Sequence, residues 1–307
     1  MSILFGFALG IALLFWGMHL LQLGLENTAG TKFESLLRRL TTTPLSGLLT
    51  GTVITALVQS STAITVFTLS LVNAGVMTFQ QALGIILGTN IGSTITAQLM
   101  AFNLEIFSLP ALLIGGLLFI LGRRGVKWFG LGLIGFAFVF WGIGMISRSL
   151  QPLGSSDSFL QFLRTLGDNH LFGLLAGAIL AGLIHSSSVT TGMVIVLASQ
   201  HLVSLATAFA IVLGANVGTC FTALLASLSG DRGAKRVAVA HLLLNLFGVV
   251  VFFPLLNPFT RFIALFGDDL GRQVANAHTF FNVVSSLVIL PLAGPFAKLV
   301  CRLVPDK

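Results

Sequence analysis

Formal charge is absent from long stretches of this sequence, and that absence decides what the chain can fold into. Uncharged segments run at about 3–25, 45–77, 80–102, 106–121, 128–147, 171–203, 205–228, 237–257 and 274–297. Most hold roughly 20 residues or more, enough for a helix to cross a bilayer core of about 30 Å. The 16 basic and 9 acidic residues gather in the gaps and make up 8% of the chain, against roughly a quarter in a soluble domain. The sequence is therefore that of an all-α polytopic membrane protein. Its net charge of +7 then reports cytoplasmic loops, and no nucleic-acid partner is expected. Cys220 and Cys301 lie far apart with no Cys or His at ligand spacing, so neither a disulfide nor a bound metal cluster is expected. The run 3–25 is longer than a signal core and precedes the first basic residue, Lys32, so it reads as the first membrane helix.

Two of the uncharged segments do not fit a simple crossing. Residues 45–77 and 171–203 are each 33 long, and a straight helix of that length would reach about 50 Å at roughly 1.5 Å per residue. Polar residues mark where each must break: Gln59, Ser60, Ser61 and Thr62 in the first, His185, Ser186, Ser187 and Ser188 in the second. Either half then measures only about 21 to 24 Å by the same rise, too short to span. The expectation is a pair of re-entrant helical hairpins with polar tips facing protein or a water-filled cavity, because lipid does not tolerate unpaired backbone at that depth.

The two hairpins are copies. Residues 47–97 align with 173–223 without a gap, with about a third of the pairs identical. The matches include Ser60 with Ser186, Ser61 with Ser187, Thr65 with Thr191, Gly88 with Gly214, Asn90 with Asn216, Gly92 with Gly218 and Thr96 with Thr222. Two repeats follow, 1–127 and 128–307, the second carrying additional C-terminal helices. Three crossings separate the hairpins if each returns to its own side, which inverts the second repeat. Lys and Arg then divide twelve against four between the faces, placing the amino terminus outside and the carboxyl terminus in the cytoplasm. A shorter echo relates residues 240–245 to 277–282, each followed by a proline, Pro254 and Pro291. The amphipathic stretches 32–40 and 158–166 read as surface helices at opposite interfaces.

Broken helices of inverted repeats that meet near the midplane are an architecture of secondary transporters. Half-helix N-termini present free N–H groups and partial positive charge to an anion, and C-termini present carbonyls to a cation. Serine and threonine hydroxyls donate to an oxyanion or ligate sodium through oxygen. The second duplicated element, Gly88-Thr89-Asn90-Ile91-Gly92 and Gly214-Ala215-Asn216-Val217-Gly218, is rich in poor helix formers, so a broken transmembrane helix is expected in each repeat, with close small-residue packing as the alternative. No Asp or Glu falls inside a predicted span, which leaves no carboxylate proton relay and favours sodium coupled through neutral oxygens. A serine hydrolase would need an orienting acid at the same depth, so an enzyme is not expected.

The residues Gln59-Ser60-Ser61-Thr62 and His185-Ser186-Ser187-Ser188, each followed at the same interval by Gly-x-Asn-x-Gly, resemble the duplicated signature of the type II sodium/phosphate cotransporter family. The resemblance covers both repeats and most of the chain. It implies symport of inorganic phosphate with sodium across the cell membrane by alternating access, with sodium as coupling ion and no other cofactor. Phosphate then falls to Ser60, Ser61, Thr62, Ser186, Ser187 and Ser188. Sodium falls to oxygens of Gln59, Thr65, Thr89, Asn90, Thr94, Thr191, Asn216 and Thr219, and to His185, which stands where the family usually has Gln. An exporter, a carrier of another oxyanion or organic phosphate, and an anion channel stay open as alternatives, as does a homo-oligomer. Some relatives in bacteria carry a soluble regulatory domain after the membrane unit, and none is expected within the sequence to Lys307.

Overall fold

The protein is described by a computed structural model covering residues 3–29, 40–102, 104–123, 125–152 and 169–305. The expected surface helices at 32–40 and 158–166 fall almost wholly outside the described residues. Among those described, the ordered structure is helical. Helix α1 (Ile3–Ala29) is followed by a first hairpin, α2 (Pro44–Val58) and α3 (Ser61–Asn73), and by α4 (Phe79–Met100). A short 3-10 turn (Glu105–Phe107) leads into α5 (Ser108–Leu121), and α6 (Gly125–Leu150) follows. The second hairpin is α7 (His170–Ile184) and α8 (Ser187–Ser199), then α9 (Leu205–Ser227) and α10 (Arg232–Phe252). After α11 (Leu256–Ile263) come α12 (Leu270–Ile289) and α13 (Ala293–Leu303).

Five helices, α1, α4, α6, α9 and α10, are each long and apolar enough to cross a membrane, and the pair α12 and α13, bent by 87°, adds a sixth candidate. The turn and α5 together span 17 residues, at the short end of what crosses. Three helices thus separate the hairpins, the odd number that the expected inversion of the second copy requires.

Both long segments break where their polar residues lie. Thr43 caps α2 through a capping box with Ser46, and Pro44 opens the helix with its φ already set. The helix ends at Gln59, which adopts φ 60°, and Ser60 then caps α3 by accepting from Ala63 N. The second hairpin repeats this with His185 at φ 57° and Ser186 accepting from Val189 N. A left-handed backbone on a residue with a Cβ costs about 1–2 kcal/mol, so both reversals must be held from outside.

The Gly-x-Asn-x-Gly helices do not unwind, contrary to the expectation at that element: α4 runs unbroken through Gly88–Gly92 and α9 through Gly214–Gly218. Their glycines serve close approach instead. A Cβ on Gly88 would sit 2.2 Å from the Leu48 carbonyl of α2, and one on Gly214 only 1.8 Å from the Leu174 carbonyl of α7. Each hairpin's first arm thereby lies directly on the helix that follows it. The helical breaks fall near the prolines of the shorter echo, between α10 and α11 at Pro254 and between α12 and α13 at Pro291, where the missing N–H and ring clash stop a helix.

A second set of glycines joins α1 to α6. Gly10, Gly17 and Gly24 recur every seven residues, and Cβ atoms there would approach backbone of α6 to 2.9, 2.5 and 2.3 Å. In lipid, where no hydrophobic force drives helices together, such small-residue seams supply van der Waals packing. The repeats do not form separable bodies. Gln98 of α4 donates to Asn276 and Thr279 of α12 at 3.1 and 2.9 Å, and Ser286 of α12 donates to the Leu87 carbonyl of α4.

Gly214→Val forces α7 away from α9, and overpacking of this kind costs about 1–3 kcal/mol or more. The expected outcome is a lower melting temperature in detergent and less monodisperse protein. Gly116→Val, where a Cβ meets nothing within 4 Å, should leave both unchanged.

Candidate functional site

Residues 59–62 and 185–188, the two polar tips, line one cavity of about 330 Å³ together with Gln22, Ala63 and Val66. The volume sits at the small end of ligand pockets, about 300–1,000 Å³. Six hydroxyl-bearing side chains, those expected to hold substrate, converge here: Ser60, Ser61 and Thr62 from the first tip, Ser186, Ser187 and Ser188 from the second. The N-termini of α3 and α8 open onto the same space. Their first turns carry N–H groups without an intrahelical partner, of which Ser60 and Ser186 satisfy one each, at 3.2 and 3.3 Å. The cavity is therefore electropositive without a cationic side chain, a setting that suits an oxyanion.

What holds the tips is duplicated as well. Thr96 of α4 donates from its hydroxyl to Gln59 Oε1 at 2.7 Å, and Thr222 of α9 pairs with His185 Nδ1 at 2.8 Å. The two threonines are equivalent residues of the repeats, and so are Gln59 and His185. Gln59 makes two further contacts: its amide nitrogen donates to the Ala56 carbonyl, and its backbone carbonyl accepts from Gln22 of α1 at 3.1 Å. Gln59 is buried at 6% exposure, whereas His185 is exposed to the cavity.

The residues expected to ligate sodium outside the tips separate into three groups. Thr89, Thr94 and Thr219 donate to carbonyls of their own helices, at 2.9, 2.8 and 2.8 Å, and do not line the cavity. Asn90 and Asn216 are held by the shorter echo. His241 of α10 donates from Nε2 to Asn90 Oδ1 at 3.2 Å, and His278 of α12 donates to Asn216 Oδ1 at 3.4 Å. Within each echo the following asparagine, Asn245 or Asn282, donates to the carbonyl of its histidine at 3.0 Å. The echo is thus a His-Asn clamp used twice, once on each repeat's Gly-x-Asn-x-Gly helix, and both histidines are core hydrogen bonders.

Thr65 and Thr191 differ from the rest. Both are fully buried, one turn past the tips, and both hydroxyls lack a partner among the described residues. Threonines in helices ordinarily bond back to the carbonyl four residues before, as Thr68 does to Ile64 at 2.7 Å. An unpaired buried hydroxyl costs about 1–3 kcal/mol, and here it occurs at the same place in both repeats.

One acidic residue within a span escaped the sequence reading. Glu26 lies inside α1, which runs one turn beyond the expected end at residue 25, so an acid does stand within a span. It is half-buried and lies near Ser60 of the first tip. The signal was available: Gln22 and Glu26 are four apart and share a helix face, but a charge-based boundary cut between them. With His185 held by Thr222 and not by an acid, no hydrolase triad forms among the described residues. A second cavity, of about 340 Å³, carries the Glu105–Arg148 ion pair at 2.8 Å and Asp269; its mixed charge does not single out an anion.

Comparison with known proteins agrees with this geometry. The profile described as Na+/Pi-cotransporter matches the chain twice, over residues 13–148 and 140–267. An uncharacterized protein of Bacillus subtilis, YqeW, is 38% identical over 264 residues, 86% of either chain. The "Putative inorganic phosphate export protein YjbB" of Salmonella typhimurium is 29% identical over 81% of this chain, which spans 46% of that relative's length. Sodium-dependent phosphate transport protein 2A of Oryctolagus cuniculus is 30% identical over 122 residues, 38% of this chain and 18% of the relative. No solved structure matches the chain.

Removing one histidine of a clamp leaves an asparagine oxygen buried without its donor, at a cost of about 1–3 kcal/mol. His241→Phe and His278→Phe should each lower the melting temperature in detergent, and by similar amounts, which differential scanning fluorimetry would measure.

Proposed function

The chain belongs to the Na+/Pi-cotransporter family, and we propose that it carries inorganic phosphate with sodium across the cell membrane by alternating access. The observation that carries this reading is the convergence of both serine tips and two helix N-termini on one small cavity. Each oxygen of a tetrahedral oxyanion can accept from a hydroxyl or a backbone N–H there, with selectivity coming from donor number and not from fixed charge. Sodium sites centre on Thr65 and Thr191, whose hydroxyl oxygens are left unpartnered at equivalent places in both repeats, with Gln59 contributing its amide oxygen. Bound sodium beside bound phosphate lowers the electrostatic cost of each, so their affinities are reciprocally linked.

The proposed motion follows the packing. Because α4 is hydrogen-bonded to α12 and α10 clamps α4, the hairpins move with α4, α9, α10 and α12 as one core. That core rocks against the glycine-seamed pair α1 and α6, whose Gln22 reaches the first tip. The amino terminus is placed outside and the carboxyl terminus in the cytoplasm by the distribution of Lys and Arg. Export is the second reading, favoured by the name of the YjbB relative, and the same site serves either direction.

Phosphate uptake into proteoliposomes, titrated with sodium, tests the reading. Uptake should saturate with sodium and vanish without it. Ser61→Ala and Ser187→Ala each remove a donor to an anion, worth about 1.5–3 kcal/mol, and should raise the phosphate KM roughly tenfold or more. Thr65→Val and Thr191→Val should instead raise the sodium concentration for half-maximal uptake. Accumulation indifferent to sodium would reject the coupling.

A further inference from the structure

We propose that His185 is a phosphate ligand and the residue that makes the two halves of the site unequal: its Nε2–H donates to the bound anion, and it does not hold sodium. The proposal rests on the phosphate reading above and goes beyond it by assigning the one position where the tips differ in chemistry.

The tautomer follows from the duplication. In the first repeat the acceptor is an amide oxygen, so the Thr96 hydroxyl must be the donor to Gln59. Thr222 is the same residue in the second repeat, on a helix packed the same way, and it reaches His185 Nδ1 at 2.8 Å. With Thr222 as donor, Nδ1 is an acceptor, and the ring proton of neutral His185 resides on Nε2. The backbone at φ 57° fixes where the ring starts, and the threonine fixes its rotation. Nε2 has no protein partner among the described residues, and His185 is exposed and lines the cavity.

Gln59 is less free to play the same part. One N–H of its amide donates to the Ala56 carbonyl of its own helix, and the residue is buried. Replacing Gln by His at the second tip therefore adds one N–H donor directed at the cavity and removes an amide oxygen that a cation could use. An imidazole N–H offers no lone pair to sodium, so the substitution shifts the second tip toward the anion.

The test uses the full chain in proteoliposomes with radiolabelled inorganic phosphate, comparing wild type, H185A, H185Q and T222V. H185A should raise the phosphate KM about tenfold and leave the sodium concentration for half-maximal uptake within about twofold. T222V, which frees the ring, should raise the phosphate KM by a smaller factor. H185Q installs the residue the other tip already accommodates and, lacking the ring N–H directed at the cavity, should raise the phosphate KM toward that of H185A. If H185A instead weakens sodium with phosphate KM unchanged, or moves neither, the assignment is overturned while the transport reading stands. A wild type that accumulates no phosphate overturns both.

Discussion

A helix that starts in the middle of a membrane exposes N–H groups with no water to receive them, and this debt shapes the protein. It occurs twice, at Ser61 and at Ser187. Ser60 and Ser186 each satisfy one group from the preceding residue, and the rest face a shared cavity. The left-handed residues that make the reversals, Gln59 and His185, are not stable in themselves. They are held by threonines one helix away, and those helices are brought close enough only because Gly88, Gly92, Gly214 and Gly218 carry no side chain. The glycines, the tips and the threonines thus form a single chain of dependence, present once in each repeat.

That dependence also explains which features could be read from residues alone. The hairpins were legible because a 33-residue uncharged segment is too long for one crossing and its polar centre too regular to be chance, and the inversion followed from counting crossings. The Gly-x-Asn-x-Gly helices misled because glycine lowers helix propensity and also permits helices to touch. Which effect wins depends on a neighbour that a linear sequence does not show, and here α2 and α7 supply it. The site was legible as a set of hydroxyls but not as a division of labour. Nothing in the spacing distinguishes Thr65 and Thr191, whose hydroxyls are left without partners, from Thr89, Thr94 and Thr219, whose hydroxyls are spent on their own helices.

Glu26 illustrates the limit of a charge-based boundary. A carboxylate normally ends a span, but here the helix continues past it to Ala29. Its presence alters the electrostatics of the site.

The shorter echo completes the logic of the duplication. Its two copies both belong to the second half of the chain, yet His241 clamps a helix of the first repeat and His278 a helix of the second. Symmetry in space is thus not symmetry in sequence: α10 and α12 restore it by bringing equivalent residues to equivalent partners. A scaffold matched this closely would offer two equal half-sites, whereas a phosphate travelling with sodium is an unequal load. Departures from the match are where function has room to act, and at the cavity that departure is Gln59 against His185. The same threonine contact serves both residues, so the exchange changes what the tip offers to the cargo without changing how the tip is held.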